Sequence, residues 1–434
     1  MRVLKAIINI RRMIREDNRK KLTFIDLFAG CGGLSEGFLA SGHFEGLAHI
    51  EWEKPMVETL RHRLTSFWNH TTEDALRRVI HFDVQQTDAL INGTDDGSFS
   101  GYGKNNHPDI TRHGLNGLIG DQQVDLIIGG PPCQAYSIAG RAQDKDSMRY
   151  DYRNYLFESF VKIVDKFKPS AFVFENVPGL LTACPGDIPV TERIFSAFRK
   201  IGYRIREPEK LCNSLYTASH FGVPQKRKRV IIIGTNMDGG PDLDKIHETL
   251  DSIANPECEE TVRTAIGHLP RFSPLAEKIS RKGANVSHIQ TDLIPVNFHT
   301  PRYHNSRDIE IFRDWINENM NRKPSEEKIA FYNNRIGKNS KHGKYRNLEW
   351  DKPSPTIVSH LYKDGLMFIH PDREQARSIT VKEAALLQSF PDGYEFIGSM
   401  GHCFKMIGNA VPPKMATCIA EAVYANLHTV EVVE

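Results

Sequence analysis

Short apolar runs recur through the first half of the chain, at Leu22 to Phe28, Gly46 to Ile50, Val124 to Ile128, Ala171 to Phe174 and Val230 to Gly234. Each is mainly apolar, interrupted at most by Thr23, Asp26, His49 or Asp125, and a glycine or an acidic residue stands at its end or within two residues beyond it. A strand of that kind is buried on both faces, which is the situation of a mostly parallel sheet covered by helices on each side. Helical patterning alternates with these runs from Leu22 to about Thr235, so the prediction is a doubly wound α/β sheet. At 434 residues and 40% hydrophobic composition the chain can build that core and a smaller second domain. The Gly-, Asn- and Asp-rich segment from about Gln85 to Gln122 reads as a surface excursion between strands.

Three strand ends carry chemistry. After the first run, Ala29, Gly30, Cys31, Gly32 and Gly33 form a glycine turn leading into a helix, the geometry of a nucleotide-binding βαβ unit. Glycines there let the main chain approach a ligand closely. Glu51 closes the next run about 20 residues on, where an acid binds ribose hydroxyls, and Trp52 can cover an adenine face. The pattern is not the full G-x-G-x-x-G, and a plain tight turn is the alternative. After the third run, Gly129-Gly130-Pro131-Pro132 makes an abrupt turn that ends on Cys133. A strand-end thiol there reads as a nucleophile or as a packing residue. After the fourth, Glu175 precedes Asn176-Val177-Pro178-Gly179, and the residues alone allow a site acid or a turn residue.

Together these segments resemble the DNA (cytosine-5) methyltransferases of bacterial restriction-modification systems. The resemblance spans nearly the whole chain in one order: Asp26 to Phe38, Glu51-Trp52, Asp83-Val84, Gly130 to Ser137, Asn154 to Phe157, Glu175 to Gly179, Gln225 to Arg229, Thr380 to Asp392 and Gly408 to Pro413. It implies a Rossmann-like, S-adenosylmethionine-dependent methyltransferase with a smaller target recognition domain. Cys133 then matches the nucleophile, Glu175 the acid that holds the cytosine ring, and Arg227 and Arg229 the pair around the base. Phe28, Ala29, Gly30, Gly32, Gly33, Glu51, Trp52, Asp83 and Asn409 match the S-adenosylmethionine pocket.

The chemistry of the implied reaction accounts for these residue types. Carbon 5 of cytosine is a poor nucleophile, so a thiolate adds first to carbon 6 and makes carbon 5 an enamine carbon. Cations such as Arg227 or Arg229 favour the ionised thiol. Glu175, protonated or sharing a proton with ring nitrogen 3, offsets the charge that thiolate addition pushes into the ring. The sequence identifies no base for the carbon 5 proton. The target atom is out of reach in a stacked duplex, so the base must be flipped out, at a cost on the order of a few kcal/mol. The small, polar stretch from Ala135 to Ser147 suits a lid over DNA, with Ser137 among its contacts.

Composition narrows the remainder. Seven cysteines without a C-x-x-C pair argue against a disulfide framework and a structural zinc site, and no metal is expected. Cys31, Cys184, Cys212, Cys258, Cys403 and Cys418 read as packing residues. No apolar run is long enough to cross a bilayer, and residues 1–21 form a basic amphipathic helix without a cleavage pattern, so a cytoplasmic protein with no membrane partner is expected. Lys226 to Arg229 would score as a nuclear address, but it abuts the run at Val230 and belongs to the matched motif.

A net charge of +2 does not announce nucleic acid, whereas a local stretch does. Phe331 to Asn347 holds Arg335, Lys338, Lys341, Lys344 and Arg346, no acid, and interleaved aromatics and amides, which makes these five residues candidates for contact with double-stranded DNA. The expected organisation is residues 1–21 as a basic helix, 22–235 as the catalytic and cofactor domain, 236–350 as the recognition domain, and 351–434 as its support, with a last helix from Pro413 returning to the catalytic domain. Helices are predicted at Ser306 to Asn317 and Val381 to Leu387. The alternatives are a transfer-RNA methyltransferase from the branch of the same fold that usually lacks a sizeable recognition domain, and a noncatalytic regulator on the same scaffold, against which the intact cysteine, acid and glycine turn argue. A monomer paired functionally, without stable complex, with a restriction endonuclease is expected.

Overall fold

The apolar runs do become strands buried on both faces. A computed structural model describes residues 21–131 and 156–427, apart from single positions 186, 259, 282, 293 and 364. The expected basic helix at 1–21 therefore lies outside the described residues except for Lys21. In chain order the first part contains β1 (Leu22–Leu27), α1 (Gly33–Ser41), β2 (Phe44–Glu51), α2 (Lys54–Ser66), α3 (Thr72–Arg78), β3 (Val79–His81), α4 (Thr87–Asn92), α5 (Pro108–Ile119), β4 (Leu126–Gly129), α6 (Leu156–Phe167), β5 (Ala171–Asn176), α7 (Val190–Lys200), β6 (Tyr203–Arg204), β7 (Leu215–Thr217), β8 (Gln225–Lys226), β9 (Lys228–Asn236) and α8 (Leu243–Ile253).

Among the described residues the main sheet has the order β3-β2-β1-β4-β5-β9-β6, with β7 also paired to β9. The pairs β3/β2, β2/β1, β1/β4 and β4/β5 are parallel, and β9 runs antiparallel to β5, β6 and β7. Alternate residues feed opposite layers. Ile25, Leu27, Ile127, Phe172, Phe174 and Ile232 pack with Phe160, Ile194 and Phe198 on one side. Phe24, Ile128, Val173, Ile231 and Ile233 pack with Phe38, Leu250, Met415 and Ile419 on the other. This is the doubly wound, mostly parallel sheet the sequence predicts.

The rest of the chain supplies α9 (Val262–Ile266), β10 (Phe272–Arg281), β11 (Ala284–Gln290), α10 (Ser306–Asn317), α11 (Ser325–Ile336), β12 (Ser354–Pro355), α12 (Val381–Leu387), α13 (Met400–Asn409) and α14 (Pro413–Leu427). α12 starts with a reciprocal cap in which the Thr380 hydroxyl accepts from the Glu383 N–H and the Glu383 carboxylate accepts from the Thr380 N–H. α14 lies against α1 so closely that a Cβ on Gly37 would run into the Ala416 side chain and stand 2.7 Å from the Pro413 carbonyl.

Packing corrects three boundaries drawn from the sequence. The segment from Gln85 to Gln122 is no surface excursion: Leu90, Ile91, Phe99, Ile110, Leu115 and Ile119 enter the core of the sheet. The few apolar residues of that polar stretch all point one way, which its composition conceals. α8 falls after residue 236, yet Leu243, Ile246, Leu250 and Ile253 cover the sheet, so the first module extends through Ile253. No core boundary falls at 350, because Val262 and Ile266 share one cluster with Leu348, Ile357, Phe368, Leu387 and Phe404.

Candidate functional site

In a parallel sheet all strands deliver their C-terminal ends to one edge, and that edge collects the predicted residues. Phe28 follows β1, Glu51 ends β2, Asp83 follows β3, Gly130 and Pro131 follow β4, and Glu175 lies near the end of β5. β9 runs the other way, with Asn176 opposite Val230, so its first residues Lys228 and Arg229 arrive at the same edge.

At the first turn the main chain takes a conformation that explains its composition. Phe28, Gly30 and Gly32 have φ of 61°, 59° and 88°, in the left-handed region. The Glu51 carboxylate holds this turn to β2: Oε2 accepts from the Gly30 N–H at 2.8 Å, and Oε1 accepts from the N–H groups of Trp52 and Glu53 at 2.9 and 2.8 Å. Burial pushes the Glu51 carboxyl up to about 7. A carboxylate offers about four acceptor sites, so three main-chain donors leave room for one further donor such as a ribose hydroxyl. Trp52 beside it is 55% exposed, and the space a Cβ would fill on Gly30 is open. An acceptor, a bare aromatic face and an open glycine side by side fit an adenosine-containing cofactor. Asp83 uses Oδ1 to accept from the Gln85 N–H at 3.0 Å.

Beneath this turn lies a buried relay that the sequence reading assigned no role. The Ser35 hydroxyl donates to Asp26 Oδ2 at 2.5 Å and lies 2.7 Å from His49 Nδ1. Burial raises the Asp26 carboxyl to about 7 and lowers His49 to about 3. No local signal marks it, since the three residues come from β1, α1 and β2.

Glu175 is buried, with Oε1 at 2.7 Å from Arg229 Nε. A Cβ on Gly130 would stand 2.8 Å from Glu175 Oε2, so a glycine is needed where β4 leaves the sheet beside this acid. The Asn176 amide donates to the Pro131 carbonyl at 3.4 Å and fixes the same turn. Burial lowers the Arg229 guanidinium, and Glu175 works against that shift. Cys133 and Ser137, and the whole lid from Ala135 to Ser147, lie outside the described residues.

Arg227, expected with Arg229 around the base, makes no ion pair with Glu175 among the described residues, although Arg229 and Glu175 are near enough to act on its charge. It is fully buried, and its guanidinium donates to the carbonyls of Ile357 at 2.9 Å and Gly408 at 3.0 Å. Gln225, two residues before, donates to Gln388 Oε1 at 2.5 Å and accepts from the Ile357 N–H at 2.9 Å. Gln388 donates to the Ala410 carbonyl at 2.5 Å. These bonds tie Gln225 and Arg227 of the first module to the second, from Val262 onward, at Ile357, Gln388 and Gly408, and a Cβ on Gly33 would strike the carbonyl of Val411. Asn409 itself is exposed, next to the segment that packs on the glycine turn.

The five basic residues of 331–347 also part company. Phe331, Tyr332 and Tyr345 pack in the core around Trp315, so the interleaved aromatics face inward. Arg335 pairs with Asp314 at 2.6 Å, and Arg346 is half-buried with its guanidinium 5.9 Å from the Phe368 ring. Lys338, Lys341 and Lys344 are exposed.

A family model for C-5 cytosine-specific DNA methylase matches residues 22–119 and 104–425. The chain belongs to that family. It is 35% identical to the type II methyltransferase M.Bpa9945I of Bacillus paralicheniformis, covering 92% of this chain and 98% of the relative. It is 32% identical to the type II methyltransferase M1.HphI of Haemophilus parahaemolyticus, over 93% of this chain and 86% of the relative. The fold resembles the crystal structure of a prophage-encoded E. coli protein assigned as a DNA modification methyltransferase, with a TM-score of 0.59 at 22% identity, covering 94% of this chain and 99% of the other. The protein is thus an S-adenosylmethionine-dependent DNA (cytosine-5) methyltransferase of the type II restriction-modification kind. Among the described residues no helix of this methyltransferase is long and apolar enough to cross a membrane.

Proposed function

We propose that this methyltransferase acts on one short double-stranded DNA sequence, flips its target cytosine from the helix, and modifies carbon 5 through a covalent adduct between Cys133 and carbon 6. The observation that carries this reading is the buried Glu175 carboxylate, 2.7 Å from Arg229, against the glycine turn that precedes Cys133 in the chain. Glu175 meets ring nitrogen 3 and shares a proton with it as the thiolate adds, and Arg229 orients that carboxylate. S-adenosylmethionine, held by Glu51, Trp52 and the turn at Gly30, supplies the electrophilic methyl group. When the proton leaves carbon 5, the carbon–sulfur bond breaks and Cys133 is released.

Arg227 acts as a positioning residue in this reading, through Gly408 and Ile357. Lys338, Lys341 and Lys344 approach the DNA backbone, and Ser137 belongs to the closing lid. The biological role is protection of host DNA from a partner endonuclease, by a monomeric enzyme in the cytoplasm without a stable complex between the two. The type II methyltransferases among its relatives support the protective role.

Incubation of the purified protein with labelled S-adenosylmethionine and plasmid DNA, followed by base-resolution mapping of 5-methylcytosine, tests the reading. Methylation at one recurring sequence is expected. Cys133→Ser should abolish transfer while DNA binding survives, and Glu175→Gln should lower the transfer rate by about 10²-fold or more with cofactor affinity little changed. Full activity in Cys133→Ser would refute the covalent route.

A further inference from the structure

The β10–β11 hairpin is anchored at its base and unsupported beyond it. At the base, the Phe272 N–H donates to Gln375 Oε1 at 3.1 Å, His288 Nε2 lies 2.9 Å from the Gln375 carbonyl, and the His304 N–H donates to the Ser287 hydroxyl at 3.0 Å. The strands pair at Pro274 with His288, lose register, and pair again as Ile279 with Val286, Ser280 with Asn285 and Arg281 with Ala284. Four residues, Leu275 to Lys278, stand opposite Ser287 alone, an irregularity that bends a ribbon away from its base. The described residues from Ala276 to Asn285 are exposed on both faces. A two-stranded ribbon with neither face covered is marginally stable in water, so this one is suited to being covered by a partner.

Its chemistry points to nucleic acid. Residues 272–290 hold three basic residues, Lys278, Arg281 and Lys282, against one acid, Glu277. The only paired apolar side chains of the distal part are Ile279 and Val286, too few for a stable protein interface. Three residue pairs at roughly 3.3 Å per residue give a projection of about 10 Å, and a major groove is ~8.5 Å deep and wide enough for a two-stranded ribbon. Next to the turn stand Arg281 and Asn285, side chains that form paired hydrogen bonds with guanine and adenine respectively. In the 331–347 stretch the aromatics pack in the core and Arg335 is engaged with Asp314, which leaves its lysines rather than an arginine exposed and outside any ion pair among the described residues.

We propose that this ribbon enters the major groove beside the target cytosine and reads the recognition sequence, with Arg281 and Asn285 on base edges and Lys278 on a phosphate. The proposal rests on the reading that the protein methylates one specific DNA sequence, and it assigns the reader within it.

The test maps 5-methylcytosine on a plasmid library for the full-length protein and for Lys278→Ala, Arg281→Ala and Asn285→Ala. All three positions are exposed, so melting temperature and S-adenosylmethionine affinity should stay at wild-type values. Arg281→Ala and Asn285→Ala should each relax discrimination at one base pair, by about ten- to a hundredfold in kcat/KM between the recognised site and its single-base variants. Lys278→Ala should weaken binding to all sequences alike and lower the slope of log affinity against log salt by about 1. As a second measurement, Ser280→Cys bearing a photocrosslinker should join to site-containing DNA. Unchanged discrimination and salt slope, with no crosslink, would overturn the assignment. Failure of the unaltered protein to methylate any DNA would overturn the proposed function beneath it, a different result from wild-type methylation with hairpin variants that keep their site choice.

Discussion

In the first module the sheet presents Phe172 and Phe174 to one helical layer and Val173 to the other, and α1 meets α14 at Gly37 with no room for a side chain. The second module has a polar centre. The Arg377 guanidinium forms two bonds to the Glu383 carboxylate, at 2.8 and 2.6 Å, and two of its nitrogens also donate to Gln375 Oε1. His370, His304 and His299 surround that pair with further bonds to Ser378, Thr380 and the Pro270 carbonyl. A sheet buried on both faces gains stability in proportion to apolar area, whereas a buried network is strong only while every member keeps its charge and partner.

Acid should separate the two modules. The buried acids of the first, Asp26 and Glu51, are raised to about 7 by burial. They bind protons more readily folded than unfolded, so they add stability as pH falls from about 7 toward 4, which offsets the loss from His49 and His247, both lowered to about 3. In the second module burial lowers His370 and His304 to about 3 and His288 to about 4, and it lowers His299 as well. Their contribution is complete above about 6.5 and is lost as pH falls below it. Glu383 is the opposite of Glu51: Arg377 holds it well below the usual carboxylate range against its burial, so its contribution too disappears on acidification. Each group contributes up to about 1.4 kcal/mol per pH unit. Hydrogen exchange at pH 4 to 5 should therefore show α10 and α12 opening before β4 and β5. Simultaneous opening would deny the contrast.

The same contrast governs what could be read in the sequence. Strands buried on both faces and helices with local caps were legible, because burial period and capping are properties of neighbours in the chain: Asn305 caps α10 by accepting from the Asp308 N–H, and Thr380 with Glu383 caps α12. The edge residues Glu51 and Glu175 were legible for the same reason, each standing where an apolar run ends. What joins distant segments was not. Gln225, Arg227 and Arg229 turn inward and alternate with exposed Lys226 and Lys228, a strand period set by neighbours in the chain. It could not tell that Arg227 would reach Gly408, 181 residues away, and not the substrate-side acid. Likewise the basic composition of 331–347 left out that its aromatics are needed around Trp315.

Single substitutions sharpen the comparison at intermediate size. Arg377→Met leaves Glu383 buried without its partner and should cost about 3–5 kcal/mol. Gly37→Ala forces α1 and α14 apart but deletes no charge, and should cost about 1–3 kcal/mol. Urea melts followed by tryptophan emission distinguish them, since Trp315 and Trp350 report on the second module and Trp52 and Trp68 on the first. Equal losses would mean that the network is no more fragile than the packing.

The smallest effect is the most discriminating for DNA contact. Arg335 is part-exposed and paired with Asp314 on its own module, so Arg335→Ala should change stability by about 1 kcal/mol or less, the range of a surface ion pair. Because its charge is already neutralised within the protein, the salt dependence of DNA affinity should barely move. Lys341 has no such neighbour among the ion pairs of the described residues and is exposed at the end of the same stretch. Lys341→Ala should leave stability unchanged and reduce the salt slope by about 1. Affinity measured from about 50 to 200 mM salt for both variants decides the matter. A reduced slope in Arg335→Ala would mean that DNA draws this arginine out of its pair with Asp314, and that the surface of the second module rearranges on binding as its buried network cannot.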